Sequence, residues 1–502
     1  MKNKFDKITK KYKKNLEIRL ENDKKESKKP VFSASNTAYD ISGRISAISQ
    51  GGIGLVDKLI KEIGYPEMIN NELNIFKKHL PYFESDHILN IAYNIICGGT
   101  CLEDIELLRN NIPYMDALGA KRIPDPTTAG DFLRRFDEED IVKLMDINNE
   151  ANTKVWKETL SDTELQKGII DVDGKIQKTY GECKEGMDMS YKGIWGFSTL
   201  ALTEATTGTH LYVVNRSGNK TSQDGAVQWI DRSIEVVKNT FNTVYLRGDS
   251  DFSITNEFDR WTESGTKFIF GYAAHPNLVK KADLLRENKW KNFSKPKKKR
   301  GSKRKKKQRV KENCVIRRKY RNKIQKEVYV GEFFYTPGKC KKTYRVIVCK
   351  KELDIMEGQL MLFEDVKYFF YITNIKDQSA EELLTFMHGR ANHENKIEQL
   401  ANGIHALKMP AAEFMANWAY MAICSLAWNI KSWLGLIMPD KVKRQKIISC
   451  EFKSFQNMII NIPCQIIKTG RKIVFNFLNY NEWVKTIYDT FQIIKGRNFS
   501  PT

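Results

Sequence analysis

Residues 243–252 read TVYLRGDSDF. The fold depends on which of two interpretations of this stretch is correct. The tetrapeptide RGDS is a cell-adhesion ligand when an exposed loop of a secreted protein presents it. The same letters also suit a buried strand, TVYLRG, that ends at an acidic residue, Asp249. Valine, tyrosine and leucine favour strand structure, and glycine and aspartate favour the turn that follows. The rest of the chain has to decide between the two.

The composition argues against a secreted protein. The 502-residue chain begins MKNKFDKITKKYKKN, which lacks the apolar segment of a signal peptide. Its nine cysteines form no CxxC pair, so we expect reduced thiols and no zinc site. The most apolar stretch, 414–438, contains Asn417, Asn429 and Lys431, which indicates a core helix and not a membrane span. We therefore expect a cytoplasmic, nucleoid-associated protein without a membrane partner.

The net charge of +22 is concentrated in one segment. Between Lys291 and Lys326 the chain has 19 lysines and arginines and one acid, Glu312, so this segment carries +18. Nucleic acid is the simplest partner for such a run, and a solvated loop without a specific role is the alternative. The residues we expect to bind DNA are Lys297, Lys298, Lys299, Arg300, Lys303, Arg304, Lys305, Lys306 and Lys307.

Changes in sequence pattern divide the chain into six predicted regions. They are a flexible basic arm (1–45), a helical DNA-binding domain (46–160), the first part of a catalytic core (165–284), a basic β-rich insertion (285–350), the second part of the core (351–435), and C-terminal helices with a hairpin (436–502). Within 46–160, a helix, a glycine turn and a second helix fit a DNA-reading unit and an ordinary bundle equally well.

The order of elements after residue 165 predicts the fold class. Three apolar segments, GIIDVDG, IWGFSTLALTEA and GTHLYVVNR, read as strands. A helix that Ser222 can cap follows, and then the strands TVYLRGD and KFIFGY. This β-β-β-α-β order is that of the ribonuclease H-like fold. The predicted class is α/β, a ribonuclease H-like mixed sheet with helices, interrupted by the β-rich basic insertion and preceded by the helical domain.

Acidic residues fall where such a sheet would collect a ligand. Asp171 and Asp173 alternate along one strand and share a face, and Asp249 ends another. On a later helix, Glu394 lies at the rim of an apolar stripe, with Arg390 one turn before it. Aspartates in such turns are most often only turn residues. Together, however, two strand aspartates and a helix glutamate make the hard-oxygen site that Mg²⁺ prefers.

These segments resemble the DDE transposases of bacterial insertion sequences, in the branch whose third motif reads Y-x-x-R-x-x-x-E. The segment MHGRANHE has Arg390 and Glu394 at that spacing. Two helper positions differ from the motif, because Met387 replaces its tyrosine and Ala401 its lysine.

The other two motifs assign the aspartates. The segment DVDGK resembles the first-aspartate motif, which favours Asp173 over Asp171. The segment LRGDSDF resembles the second, with Asp249 as the ligand and Phe252 closing the turn. By this resemblance RGDS is the end of a strand.

The resemblance implies a mechanism. Asp173, Asp249 and Glu394 would hold two Mg²⁺ ions, with Mn²⁺ as an alternative, and Arg390 would support Glu394 or a phosphate. The protein would cleave double-stranded DNA at the terminal inverted repeats of the element and would transfer the cleaved strands to a target DNA. A homodimer in the synaptic complex is compatible with it. A nuclease without strand transfer and a non-catalytic DNA-binding relative remain alternatives.

Trp290 could stack on a flipped base, although packing within the insertion is the favoured role.

Overall fold

The computed structural model describes residues 2–25, 37–39, 43, 45–77, 81–293, 314, 317–318, 322–356, 365–389, 391–470 and 472–497. The chain forms two compact units. We call the first the helical unit; it comprises Met1–Glu164, Lys175–Lys220 and Lys396–Thr502. We call the second the sheet unit; it comprises Leu165–Gly174 and Thr221–Asn395.

The first third of the chain is helical, as its sequence pattern predicts. Its elements are Lys2–Lys25 (α1), Ala47–Ile48 (β1), Ile53–Ile63 (α2), Tyr65–Glu72 (α3), Glu84–Ile96 (α4), Ile105–Arg109 (α5), Ile112–Leu118 (α6), Pro126–Leu133 (α7) and Glu138–Thr159 (α8). Helix α1 lies where we expected a flexible arm. Its Phe5 ring stacks on the Tyr488 ring with 4.2 Å between centroids, an apolar contact that the lysine-rich composition conceals.

The next segment contains the predicted strands. Its elements are Lys167–Lys178 (β2), Asp188–Met189 (β3), Trp195–Glu204 (β4), His210–Val214 (β5), Ala226–Lys238 (α9), Thr243–Gly248 (β6), Phe258–Glu263 (α10), Lys267–Tyr272 (β7) and Pro276–Asp283 (α11). The predicted order of five strands and a helix is confirmed, but the predicted cap is wrong. Helix α9 follows Gly225, which has a φ of 68°, and the Ser222 hydroxyl donates instead to Asp251 Oδ2 at 3.2 Å.

Two hairpins and a set of helices complete the chain. The elements are Lys291–Asn292 (β8), Asn322–Tyr335 (β9), Tyr344–Met356 (β10), Asp365–Thr373 (β11), Ala380–His388 (α12), Ala391–Asn402 (α13), Phe414–Ile437 (α14), Lys441–Ser449 (α15), Phe452–Phe455 (α16), Cys464–Thr469 (β12), Lys472–Phe477 (β13) and Val484–Gly496 (α17). The antiparallel pair β12–β13 confirms the predicted C-terminal hairpin, and the pair β9–β10 forms a second hairpin, most of it in the region predicted to be β-rich.

The sheet unit is built on one mixed sheet. Its strand order is β2–β6–β7–β11–β10–β9–β8. Strands β2, β6 and β7 are parallel, whereas β11, β10, β9 and β8 alternate in direction. The strands of the predicted insertion therefore extend the sheet that carries β2 and β6. The last residues of β2, from Lys175 onward, belong to the helical unit. There β4 lies between them and β5.

Helix α12 covers one face of the sheet. Its buried Leu383, Leu384 and Met387 share a core with Ile347 and Cys349 of β10. This packing follows from the apolar spacing of the helix and the alternation of the strand. It fixes α12 next to the strands that carry the predicted aspartates.

The long apolar helix α14 forms the centre of the helical unit. Trp433 Nε1 donates to Asn152 Oδ1 of α8 at 2.8 Å. Lys431 is fully buried and donates to Ile448 O at 3.1 Å, and this burial lowers the pKa of its ammonium group to about 8. The predicted core helix is confirmed. Within the described ranges, no helix is long and apolar enough to cross a membrane.

Candidate active site where the pairing of two parallel strands ends

Asp173 and Asp249 occupy equivalent positions on neighbouring strands. Strands β2 and β6 run parallel, and their last paired residues are Asp171 and Arg247. Asp173 and Asp249 each lie two residues beyond that pair. Adjacent strands are about 4.8 Å apart, so the two aspartates lie side by side at the edge where the pairing of β2 and β6 ends. The sequence predicted a strand end at each aspartate. Strand β6 does end just before Asp249, but β2 continues past Asp173 to Lys178.

The turn after β6 orients Asp249. Asp249 precedes a short 3₁₀ turn, Ser250–Phe252, and its Oδ1 accepts a hydrogen bond from Asp251 N at 2.9 Å. Phe252 is fully buried beneath the turn, in agreement with its predicted role. On β7, a Cβ atom at Gly271 would lie 2.8 Å from Ser250 N, so the glycine leaves the space that the turn requires.

Asp173 and Asp171 have different environments in the structure. Asp173 is half-buried, and its Oδ1 accepts a hydrogen bond from Gly174 N at 2.8 Å. Asp171 is only 1% exposed and accepts two hydrogen bonds from Arg247, at 2.7 and 2.8 Å. A carboxylate committed to a buried guanidinium is a poor metal ligand. Asp173 is therefore the better candidate on β2.

The same ion pair decides how RGDS is to be interpreted. Arg247, the arginine of that tetrapeptide, is 5% exposed. A receptor that recognises RGD needs access to both charged side chains. With its arginine buried against Asp171, the segment has the environment of a strand end and not that of an adhesion loop.

The third carboxylate belongs to the helix that follows α12. Glu394 is the fourth residue of α13, but its side chain and the whole of Arg390 lie outside the described residues. The end of α12 is described, and it contacts strand β6 through Arg247. Arg247 Nη1 donates to the Phe386 carbonyl in the last turn of α12 at 2.7 Å. Met387, in the tyrosine position of the third motif, is buried in the core.

The described donor atoms suit a divalent cation. Asp173 and Asp249 offer carboxylate oxygens at one edge, and oxygen donors are those that Mg²⁺ and Mn²⁺ prefer. Backbone N–H groups already orient one oxygen of each carboxylate. In the part of the chain that the structure describes, no group of three His, Cys, Asp or Glu is placed to hold a metal ion, and Glu394 falls outside that search. The two aspartates thus fit part of the predicted site.

The insertion contributes a packed tryptophan. Trp290 is half-buried, and its ring stacks on Tyr368 with 6.2 Å between centroids. A Cβ atom at Gly331 of β9 would lie 3.1 Å from Trp290 Cε3, so the indole rests directly on the strand. These contacts favour the packing role. The predicted DNA-binding residues from Lys297 to Lys307 lie outside the described residues.

Sequence reasoning missed the Asp171–Arg247 pair. Both residues stand two positions before a predicted ligand, and a spacing of two puts side chains on one face of a strand. That signal was present in the sequence for Asp171. The parallel register that brings Arg247 opposite it is a long-range property, which no local pattern contains.

Comparison with known proteins assigns the family. The family model described as "Transposase DDE domain group 1" matches residues 30–498. The chain therefore belongs to this family of DDE transposases. None of the curated proteins compared with the chain matches it. Among solved structures, the chain is similar to one described as "Cryo-EM structure of piggyBac transposase synaptic complex with hairpin DNA (SNHP)". That likeness has a TM-score of 0.33 and 9% identity, and covers 91% of this chain and 86% of the other.

Proposed function

We propose that this protein is the DNA transposase of an insertion sequence, which cleaves the ends of its element and joins them to target DNA. The single observation that supports this most strongly is the equivalent position of Asp173 and Asp249 beyond the Asp171–Arg247 pair. It puts two carboxylates at one edge of a sheet, in a chain of the DDE transposase family.

The proposed site consists of three carboxylates. Asp173 and Asp249 would hold two divalent ions together with Glu394 of α13, and Arg390 would keep Glu394 ionised or contact a phosphate. When bound, Mg²⁺ or Mn²⁺ would supply Lewis-acid activation of the attacking oxygen and stabilisation of the leaving oxygen.

The protein itself contributes preorganisation. Backbone N–H groups at Gly174 and Asp251 hold Oδ1 of Asp173 and Asp249, so these carboxylates do not have to reorient during the reaction. The ribose 3′-OH and the scissile phosphate would then meet at a fixed edge. Holding the two reactants in a fixed geometry lowers the entropic cost of the reaction step, because their relative freedom is already lost on binding.

We infer that the core has the ribonuclease H-like topology. Within the sheet unit, β2 pairs in parallel with β6, and β6 pairs in parallel with β7. This parallel core, with one aspartate on β2 and one after β6, supports the strand order of that fold. We also propose that the catalytic core is discontinuous and that β8–β10 belong to its insertion.

DNA binding would depend on the basic run and the N-terminal helices. The segment from Lys291 to Lys326 carries +18, enough to contact many phosphates. Its proposed ligands are the terminal inverted repeats and target DNA, and two copies of the chain would act in a synaptic complex.

The test is cleavage of DNA that carries the ends of the element, with Mg²⁺, by wild type, Asp173→Asn, Asp249→Asn and Glu394→Gln. We expect each substitution to abolish cleavage and to leave end binding intact. Matched controls are Asp251→Asn and Glu398→Gln, because Asp251 and Glu398 are exposed neighbours in the same segments, and both should cleave like wild type. Equal cleavage by wild type and Glu394→Gln would overturn the assignment of Glu394. Binding without cleavage by wild type would overturn the proposed function.

A further inference from the structure

Arg247 makes hydrogen bonds to two different elements at once. Its Nε and Nη2 donate to Asp171 of β2 at 2.7 and 2.8 Å. Its Nη1 donates to the Phe386 carbonyl of α12 at 2.7 Å. The guanidinium also lies over the Phe386 ring, 4.6 Å from its centroid. We call these contacts the Arg247 bridge; they join strands β2 and β6 to helix α12.

Each end of the bridge is close in sequence to one proposed ligand. Asp171 stands two residues before Asp173, and Arg247 two residues before Asp249. Phe386 stands eight residues before Glu394, and two residues separate the end of α12 from the start of α13. The bridge thus connects the strand residues just before the two aspartates to the helix that precedes α13.

The last turn of α12 relies on this contact. Arg247 lines an open groove together with Ile169 of β2 and with Phe386 and Gly389 at the end of α12, so apolar side chains do not close this junction. The guanidinium lies directly against the end of the helix, because a Cβ atom at Gly389 would lie 3.1 Å from its Nη1. A cation at a helix C-terminus also complements the helix dipole and a terminal carbonyl.

We propose that Arg247 is a positioning residue for the metal site: it fixes the paired end of β2 and β6, from which Asp173 and Asp249 follow, and holds the end of α12 against it. Arg247 itself does not contact substrate or metal. The proposal rests on the proposed function, since it assumes that Asp173 and Asp249 hold the metal. Groups that orient metal ligands typically change metal affinity or activity by about 10–100-fold when they are removed.

A lysine at this position separates the two roles of Arg247. Its single ammonium group can pair with Asp171, but it lacks the planar fork that reaches Asp171 and Phe386 together. Arg247→Lys should therefore keep most of the charge compensation and lose the link to α12. The double variant Asp171→Asn/Arg247→Gln removes both charges, and it provides a second test if the lysine variant folds poorly.

Arg345 offers a matched control at the other end of the same helix. It pairs with Glu332 of β9, and its Nη1 donates to the Gln378 carbonyl, just before α12, at 2.6 Å. Arg345→Lys removes a similar bridge far along the chain from the three carboxylates. It should leave the metal site unaffected and cost less stability, because the Glu332 side chain is half exposed.

The experiment measures Mn²⁺ affinity by calorimetric titration of the full-length protein without DNA, together with Mg²⁺-dependent cleavage and thermal unfolding. We expect Arg247→Lys to weaken Mn²⁺ binding about 10-fold or more, and to raise the Mg²⁺ concentration for half-maximal cleavage, whereas Arg345→Lys leaves both unchanged. Equal Mn²⁺ affinity in wild type, Arg247→Lys and the double variant would overturn the proposal. If wild type binds Mn²⁺ but cleaves no DNA, the proposed function fails, and a selective loss of Mn²⁺ affinity in Arg247→Lys would still support the bridge.

Discussion

Arg247 and Asp171 form a buried, bidentate ion pair between two parallel strands, with N–O distances of 2.7 and 2.8 Å. Both side chains are almost completely buried. Such a pair is costly to break from one side, because the remaining charge stays buried without compensation. This relationship sets the expected stability of the strand edge that carries the proposed site.

Removing one partner should therefore destabilise the protein strongly. We expect Asp171→Ala to lower the free energy of unfolding by about 3–5 kcal/mol, because it leaves the Arg247 charge buried and uncompensated. Asp251→Ala, at an exposed position in the following turn, should change it by less than about 0.5 kcal/mol. Urea unfolding followed by circular dichroism measures both. A change below about 1 kcal/mol for Asp171→Ala would contradict the buried pair.

Gly331 should be intolerant of a side chain, because Trp290 rests on it. A Cβ atom there would lie 3.1 Å from Trp290 Cε3 and 3.2 Å from Leu285 Cδ1. We expect Gly331→Ala to cost about 1–3 kcal/mol by overpacking. Gly338→Ala, where a Cβ atom would meet nothing within 4 Å, is the control. Unchanged stability and tryptophan fluorescence in Gly331→Ala would argue against the packing role of Trp290.

His87 should make stability depend on pH. Its ring stacks on Phe132 with 4.5 Å between centroids, and burial, aided by Arg135, lowers its pKa to about 4. Because this folded-state pKa is depressed, the neutral ring contributes stability that is present above about pH 6.5 and is lost as pH falls toward 4.

Replacing His87 with an apolar ring should remove that dependence. We expect wild type to lose about 1–2 kcal/mol more than His87→Phe between pH 7 and pH 5. Phenylalanine is a reasonable substitute because, among the described residues, none hydrogen-bonds His87 Nδ1. Urea unfolding at both pH values gives the difference, and parallel pH profiles of the two proteins would disprove the expectation.

The basic run should determine how DNA binding responds to salt. Replacing five residues by glutamine, Lys303, Arg304, Lys305, Lys306 and Lys307, removes five positive charges. If each contacts a phosphate, the slope of log K against log salt should become less steep by about 0.9 per contact. Fluorescence anisotropy with labelled DNA between low and moderate salt measures the slope. An unchanged slope would identify the run as a solvated loop.

Local sequence patterns predicted the elements of the fold well. Short apolar segments predicted β2, β4, β5, β6 and β7. These signals suffice because each concerns residues that are near one another in the chain. The prediction that Ser222 caps α9 was wrong, because its hydroxyl donates to Asp251, a residue 29 positions away that a local pattern does not include.

Long-range relationships were beyond the sequence. The apolar helix α14 packs in the helical unit with α8 through contacts such as Trp433 to Asn152, 281 residues apart. At the site, the strand end of β6 could be predicted from the sequence, whereas β2 continues past Asp173 to Lys178. The Arg247 bridge needed the parallel register and the return of α12, neither of which leaves a local trace.

The most direct test of the central claim exchanges a carboxylate for a thiol. A cysteine thiolate binds Mg²⁺ poorly and Mn²⁺ better, because it is a softer donor than oxygen. We would measure cleavage of the element's ends by Asp173→Cys and Asp249→Cys, in Mg²⁺ and in Mn²⁺. The three-carboxylate site predicts that both variants are inactive with Mg²⁺ and partly active with Mn²⁺. Cleavage at the wild-type rate with Mg²⁺ would show that these aspartates do not hold the metal.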